Sequence, residues 1–329
     1  MRCHLYPALP AVLGVTISVA IALLAPGCAQ EERVTLHVWG ADALAASFRE
    51  MKAKFERLHP ECRIALNIHS SVLVTRLIPD HEADVAALAD YRLVEKVLNP
   101  DTADWVVKFA SDEIVLAGHN SSKRRAEITS DNWYEVLLKP DTRFGIANPT
   151  QDPCGYWSRL TWILAEKHYF ASRGNPRPLV QQLVDKCPEK FIALDANRLI
   201  ADLLVPARVD YAFVYKTHAV DHKLGFTPLP KEINLGDPTH ADDYAQAEIT
   251  VPDYHGGSET IQGTYIAFGI TVTRKSRHPE LAREFVRCVL SPIGQEVLQR
   301  SGFNTLSPAR VPKWCKRPEF LADIAVPEK

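Results

Sequence analysis

Charge of one sign is what this sequence most lacks. Lys and Arg number 38 against 40 Asp and Glu, a formal charge of −2. No basic excess exists to draw a nucleic-acid backbone into a groove. Cysteine is scarce, with seven in 329 residues and none in a Cys-x-x-Cys pair, which excludes a disulfide scaffold. The motif-bearing hydrolases find no support, because neither a nucleophile elbow nor a His-Glu-x-x-His zinc signature occurs. Internal repeats and low-complexity tracts are also missing. What remains is ordinary globular composition, 46% hydrophobic and 24% charged, in a chain long enough for about two domains. That composition excludes a disordered tail and a polytopic membrane protein.

Residues 1–28 read as an export leader. Arg2 is the short positive start, and no charge occurs from Ala8 to Ala25. Pro26, Gly27 and Cys28 end the run, followed by polar Gln30, Glu31 and Glu32. Three outcomes are open: lipidation of Cys28 as the new N-terminus, simple cleavage with release, or retention as an anchor. Each places the body outside the cytoplasm, periplasmic or tethered to a membrane by lipid. Export permits disulfides. Beyond Cys28 the cysteines are Cys62, Cys154, Cys187, Cys288 and Cys315, an odd number. A Cys154–Cys187 bridge and a set of buried thiols are both open.

The mature chain alternates strand and helix patterns. Residues 33–39 alternate as a strand, and Leu44, Phe48, Met51, Phe55 and Leu58 then recur at helical spacing until His59 and Pro60 stop the helix. A second strand, residues 63–68, leads to a polar turn at His69, Ser70 and Ser71 and a short helix. Strand–turn–helix repeated in this way predicts a parallel α/β sheet, with ligand-binding loops after the strand C-termini. Irregular loops concentrate between about residues 118 and 262, and residues 229–253 read as irregular and polar. The apolar stretches 113–117 and 266–272 are placed to cross between two halves. The expectation is an α/β protein with lobe I from residues 33–117 and 267–329, lobe II from residues 118–266, and a cleft between them that closes on a small ligand.

Several stretches carry a family resemblance. ASDEIVLA at 110–117, DPCGY at 152–156 and PKEINLG at 230–236, with ADYRLVEK at 89–96 and DYAFVYKTHAV at 210–220, resemble the solute-binding proteins of molybdate/tungstate ABC importers, in the branch common among archaea. SPIGQEVL at 291–298 is shared more widely among solute-binding proteins. The resemblance implies a two-lobe periplasmic-binding fold of type II, with two crossover strands. It also implies delivery of molybdate or tungstate to a permease and its ATPase, no enzymatic activity, no cofactor beyond that ligand, and a monomeric chain.

A tetrahedral dianion is held mainly by neutral donors: backbone N–H groups at helix starts, serine hydroxyls and a tyrosine hydroxyl. The resemblance implies ligand contacts at five positions. The family's first loop reads Ala-Gly-Ser-Leu, whereas here Ala41, Asp42, Ala43 and Leu44 stand, so the hydroxyl is lost at Ala43 and an acid enters at Asp42. The second-loop serine is kept as Ser71. The family carboxylate that ligates the molybdenum or tungsten centre is kept as Asp152. Its second carboxylate falls on Asn197, and its tyrosine is Tyr215. Bland roles stand beside these. Asp42, Ser71, Asp152 and Asn197 each suit a helix cap, and Tyr215 suits a core position.

His218 and His222 have the spacing of one helix face, read as a solvated surface pair, and His69 is the one histidine placed near the cleft. Alternatives to the oxyanion importer are a sulfate receptor, a divalent-metal binder built from Asp42, Asp152 and His69, and a sensory lipoprotein that kept the fold. A hydrolase arranged from Ser71, His69 and Asp152 is a further, weaker possibility.

Overall fold

The computed structural model describes residues 33–171, 174–252 and 257–328. The leader of residues 1–28 and Cys28 lie outside the described residues. Residues 33–329 form one compact unit.

The chain begins with β1 (Val34–Ala41), whose inward residues Leu36 and Val38 are buried. Helix α1 (Ala45–Leu58) follows and buries Phe48, Met51 and Phe55, the stripe expected from their spacing. Phe48 and Phe55 both meet Phe285 edge-on, with ring centroids 5.9 and 5.4 Å apart. Strand β2 (Cys62–His69), helix α2 (Ser71–Leu77) and strands β3 (Val85–Leu88) and β4 (Val107–Ser111) complete the first pass.

The chain then enters a second sheet. Its strands are β5 (Ile114–Gly118), β6 (Phe144–Ala147), β7 (Ile192–Ala193), β8 (Tyr211–Tyr215) and β9 (Gly225–Pro228). The helices over this part are α3 (Trp133–Leu137), α4 (Pro153–Tyr169), α5 (Leu179–Lys186), α6 (Ala196–Arg198) and α7 (Lys216–Asp221). Aromatic edges fill the core beneath them: Trp133, Phe144 and Trp162 each meet Phe213 within 6 Å of ring centroids. After helix α8 (Ala241–Tyr244), strands β10 (Glu248–Pro252) and β11 (Ser258–Gln262) pair as an antiparallel hairpin. Strand β12 (Ala267–Val272), helices α9 (Pro279–Leu290) and α10 (Pro292–Arg300), and strands β13 (Asn304–Val311) and β14 (Ala325–Pro327) return to the first sheet.

Among the described residues the first sheet has the order β14-β13-β4-β12-β3-β1-β2 and the second β7-β6-β8-β5-β9. Pairing of β1 with β2 and β3, and of β6 with β8, is parallel. Two sheets with interleaved chain passes give the expected two-lobe α/β fold.

The boundaries differ from the sequence reading at one end. Strand β5 pairs with β8 and β9 of the second sheet, so the first crossing falls at Asp112 and Glu113, not after residue 117. The apolar run hid this, because β4 and β5 are both buried along their whole length and only the acid pair separates them. The return crossing lies before β12, which pairs with β3 and β4 of the first sheet. The two crossings touch: Asp112 N–H donates to the Ile266 carbonyl (3.3 Å), and Ile266 N–H donates to the Leu235 carbonyl (2.8 Å).

The polar stretch at residues 229–253 is not all irregular, since it contains α8 and β10. Cys154 and Cys187 are separate buried thiols, so the bridge is not formed. No helix among the described residues is long and apolar enough to cross a membrane.

One close approach sets the entry of α4. A Cβ on Gly155 would lie 2.5 Å from the Ala147 carbonyl oxygen and 2.7 Å from backbone atoms of Asn148 and Pro149. The helix start is therefore pressed onto the end of β6. Gly155→Ala is expected to cost about 1–3 kcal/mol, read as a lowered midpoint of thermal unfolding. An unchanged midpoint would mean that the helix start is free to slide.

Candidate functional site

Four turns meet between the sheets, each at the C-terminal end of a parallel strand: after β1 at Asp42, after β2 at Ser70, after β6 at residues 148–152, and after β8 at Tyr215. This is where an open α/β sheet presents ligand groups.

At the first turn, Asp42 is the first residue of a 3-10 turn (Asp42–Leu44), with Ala41 rather than Asp42 at the cap position. The Asp42 Oδ1 accepts the Ala43 N–H at 2.9 Å. The backbone donor expected at Ala43 is thus already engaged by the acid beside it. The other oxygen, Oδ2, is buried without a hydrogen-bond partner.

Asp152 caps α4. Its Oδ1 accepts the Cys154 N–H (2.8 Å) and its Oδ2 accepts the Ala196 N–H (2.9 Å). One carboxyl group therefore ties the starts of α4 and α6 together, at the positive ends of both. The capping role predicted for Asp152 is real, and it sits inside the site.

Tyr215 ends β8 and directly precedes α7. Its ring is fully buried and its hydroxyl has no partner. One turn along, His218 stacks on it, with ring centroids 5.5 Å apart and planes 17° apart. His218 is 2% exposed, and its Nε2 lies 3.6 Å from Asp42 Oδ2. Neither ring nitrogen makes a hydrogen bond. The solvated surface pair expected for His218 and His222 is therefore overturned for His218. Packing of α7 against the β1 turn buries it, which helical spacing alone does not reveal. The signal available was its distance of three residues from Tyr215, which puts both on one face.

The acids and His218 shift one another's titration. Burial, and then the Asp42 charge, push the Asp152 carboxyl up to about 8, against the pull of the Ala196 and Cys154 N–H groups and of His218. Asp152 thus keeps its proton through neutrality. Burial opposes the charged imidazolium of His218, yet Asp42, Asp152 and Asp112 outweigh it and hold its pKa above the usual histidine value. Asp42 and Asp152 thus favour the charged imidazole, and His218 in turn lies within ion-pair distance of Asp42. Beneath them, burial pushes Asp112 up to about 7, against the Thr217 hydroxyl, the Glu113 N–H, His218 and Lys216. Its Oδ2 accepts the Thr217 hydroxyl at 2.6 Å, anchoring the start of α7.

The other candidates fall around this centre. Ser71 Oγ accepts the Ala89 N–H at 2.8 Å, and the α2 cap is Ser70, not Ser71. Asn197 does not cap α6 either. Asp195 does, accepting the Arg198 N–H, and Asn197 Oδ1 lies 3.3 Å from His222 Nε2. His69 is exposed at the end of β2, its ring 6.1 Å from Trp39. No group of three or more His, Cys, Asp or Glu among the described residues is arranged to hold a metal ion. The metal set of Asp42, Asp152 and His69 is not assembled, nor is a hydrolytic triad through His69.

Polar contacts fasten the two halves at the rim of the site. The Tyr156 hydroxyl donates to Asp90 Oδ2 (2.8 Å), and Arg92 pairs with Asp90 at 2.7 Å while also donating to the Gln262 carbonyl. The Ser70 hydroxyl donates to the Gln151 carbonyl (2.7 Å), Arg76 donates to Gln151 Oε1 (3.0 Å), and Lys96 pairs with Glu259.

Comparison with known proteins agrees with this architecture. The chain is 31% identical over 331 residues to the molybdate/tungstate-binding protein WtpA of Thermococcus kodakarensis, covering 89% of this chain and 91% of that one. The sulfate-binding protein SubI of Mycobacterium tuberculosis superposes with a TM-score of 0.61 at 14% identity, covering 90% and 93% of the two chains. The periplasmic molybdate-binding protein of Azotobacter vinelandii superposes with a TM-score of 0.57 at 16% identity, covering 82% and 98%. Both superpositions bear on the fold alone. The pattern of one family spans residues 36–304, nearly the whole of both lobes, and the chain belongs to the bacterial extracellular solute-binding proteins.

Proposed function

We propose that this protein captures molybdate or tungstate between its lobes and hands it to the permease and ATPase of an ABC importer. The supporting observation is that the Tyr215 hydroxyl and both His218 ring nitrogens are buried without partners where the turns after β1 and β8 meet, beside Asp42 Oδ2, which is also unpartnered. Native proteins pair more than about nine in ten such groups. A small oxyanion presents several acceptors in a compact tetrahedron and would satisfy these donors together. The relation to WtpA, over most of both chains, favours molybdate and tungstate within that class.

Asp152 would face the ligand as a neutral acid or as a ligand of its metal centre. Ser71, whose oxygen accepts the Ala89 N–H, keeps its hydroxyl proton to donate to the ligand, Asn197 would take a peripheral part, and the Ala43 N–H is already engaged by Asp42. The protein acts outside the cytoplasm, with Cys28 as the site of lipid attachment, and works as a monomer without enzymatic activity.

Titration calorimetry of the purified protein with molybdate, tungstate, sulfate and Zn²⁺ tests the reading. The expected result is tight binding of the first two. Saturation by sulfate alone, or by Zn²⁺ alone, would replace molybdate and tungstate with that ligand.

A further inference from the structure

The site holds one group that the resemblance does not account for. His218 is 98% buried, yet it sits against two polar neighbours without hydrogen-bonding to either. Its Nε2 is 3.6 Å from Asp42 Oδ2, close enough for an ion pair and too long for a hydrogen bond. Asp42 Oδ2 is itself without a partner. The imidazole lies flat on Tyr215, so both rings share one orientation. Thr217, next in the chain, is locked to Asp112 by its hydroxyl, which fixes the helix turn that carries the ring.

These facts argue against a packing role. An apolar side chain would fill the same volume without stranding two ring nitrogens, and a buried polar group left unpaired destabilises a fold. They argue equally against a ring serving only to neutralise Asp42, which would draw it into hydrogen-bond contact. The arrangement suits a ring poised between a carboxylate on one side and an absent acceptor on the other.

We propose that His218 is a ligand-contacting, specificity-determining residue: held by Asp42, it donates a ring N–H to an oxygen of the bound oxyanion, beside the Tyr215 hydroxyl. The Asp42–His218 pair then supplies, from across the cleft, the donor that the turn lacks at Ala43. A ligand rich in acceptors and without donors fits this set. The inference rests on the oxyanion reading and adds a residue to it.

The test uses the whole protein with sodium tungstate and sodium molybdate. His218→Ala is expected to weaken binding about 10- to 100-fold, and His218→Gln, which keeps an N–H donor, to recover part of that loss. Nitrogen resonances of the His218 ring in the unsubstituted protein are expected to shift on adding tungstate, a readout independent of whether a variant folds. Tight binding by the unsubstituted protein, with His218→Ala within about twofold of it and the ring resonances unmoved, would overturn this inference alone. Failure of the unsubstituted protein to bind any oxyanion would overturn the oxyanion reading and this inference with it.

Discussion

Asp152→Ala is expected to lower the unfolding free energy by about 3–4 kcal/mol, well beyond an ordinary cap substitution of about 1 kcal/mol. The reason is that one carboxyl group serves two helices. Its loss leaves the Cys154 N–H and the Ala196 N–H buried and unpaired, each costing about 1–3 kcal/mol. Denaturant unfolding measures the change.

The same residue sets a pH dependence. The Asp152 carboxyl is raised from 3.8 to about 8 by burial and by Asp42, so the folded protein binds its proton more tightly than the unfolded chain. The stabilisation is complete below about pH 4 and is lost as pH rises through about 8. Asp112, raised to about 7 chiefly by burial, acts in the same direction. Stability is therefore expected to fall between pH 5 and pH 9, with a shallower fall in the Asp152→Ala protein. Equal slopes in the two proteins would show that Asp152 is ionised when folded.

Tyr215→Phe separates binding from folding. The hydroxyl it removes has no partner, so no group is left stranded, and the thermal midpoint is expected to hold or rise slightly. Oxyanion affinity is expected to fall by about 10- to 100-fold, the worth of one hydrogen bond to a charged ligand, about 1.5–3 kcal/mol. A stability loss with unchanged affinity would instead place the hydroxyl in the core, outside the ligand's reach.

Much of this was legible in the sequence, and the exceptions have physical causes. The two-lobe α/β fold followed from strand–turn–helix repetition, because the period of the apolar residues is local information. Asp152 and Tyr215 stood out through the family resemblance, while the local pattern alone offered a helix cap for one and a core position for the other. His218 did not, because its burial comes from a contact with a turn 176 positions earlier in the chain, through Asp42. The hairpin of β10 and β11 was hidden because the apolar alternation in β10 is only Ile249 and Val251, and β11 carries a single apolar residue, Ile261. Strand β13 was obscured by Pro308, which argues against a strand interior. The structure accommodates it where the pairing with β4 shifts register between Thr305 and Arg310.

On the proposed function, the fastenings along the rim would bear on signalling to a transporter. The contact from Tyr156 to Asp90 is buried and ends on a carboxylate, worth about 1.5–3 kcal/mol, whereas Ser70 to Gln151 is a neutral pair netting about 0.5–1.5 kcal/mol and Arg92 to Gln262 lies exposed. Together they hold the halves against each other through contacts that involve no cargo. Under the proposed delivery to an importer, a transporter that recognised shutness alone would turn over futilely, and the margin between a loaded and an empty receptor would come from the few atoms at the centre.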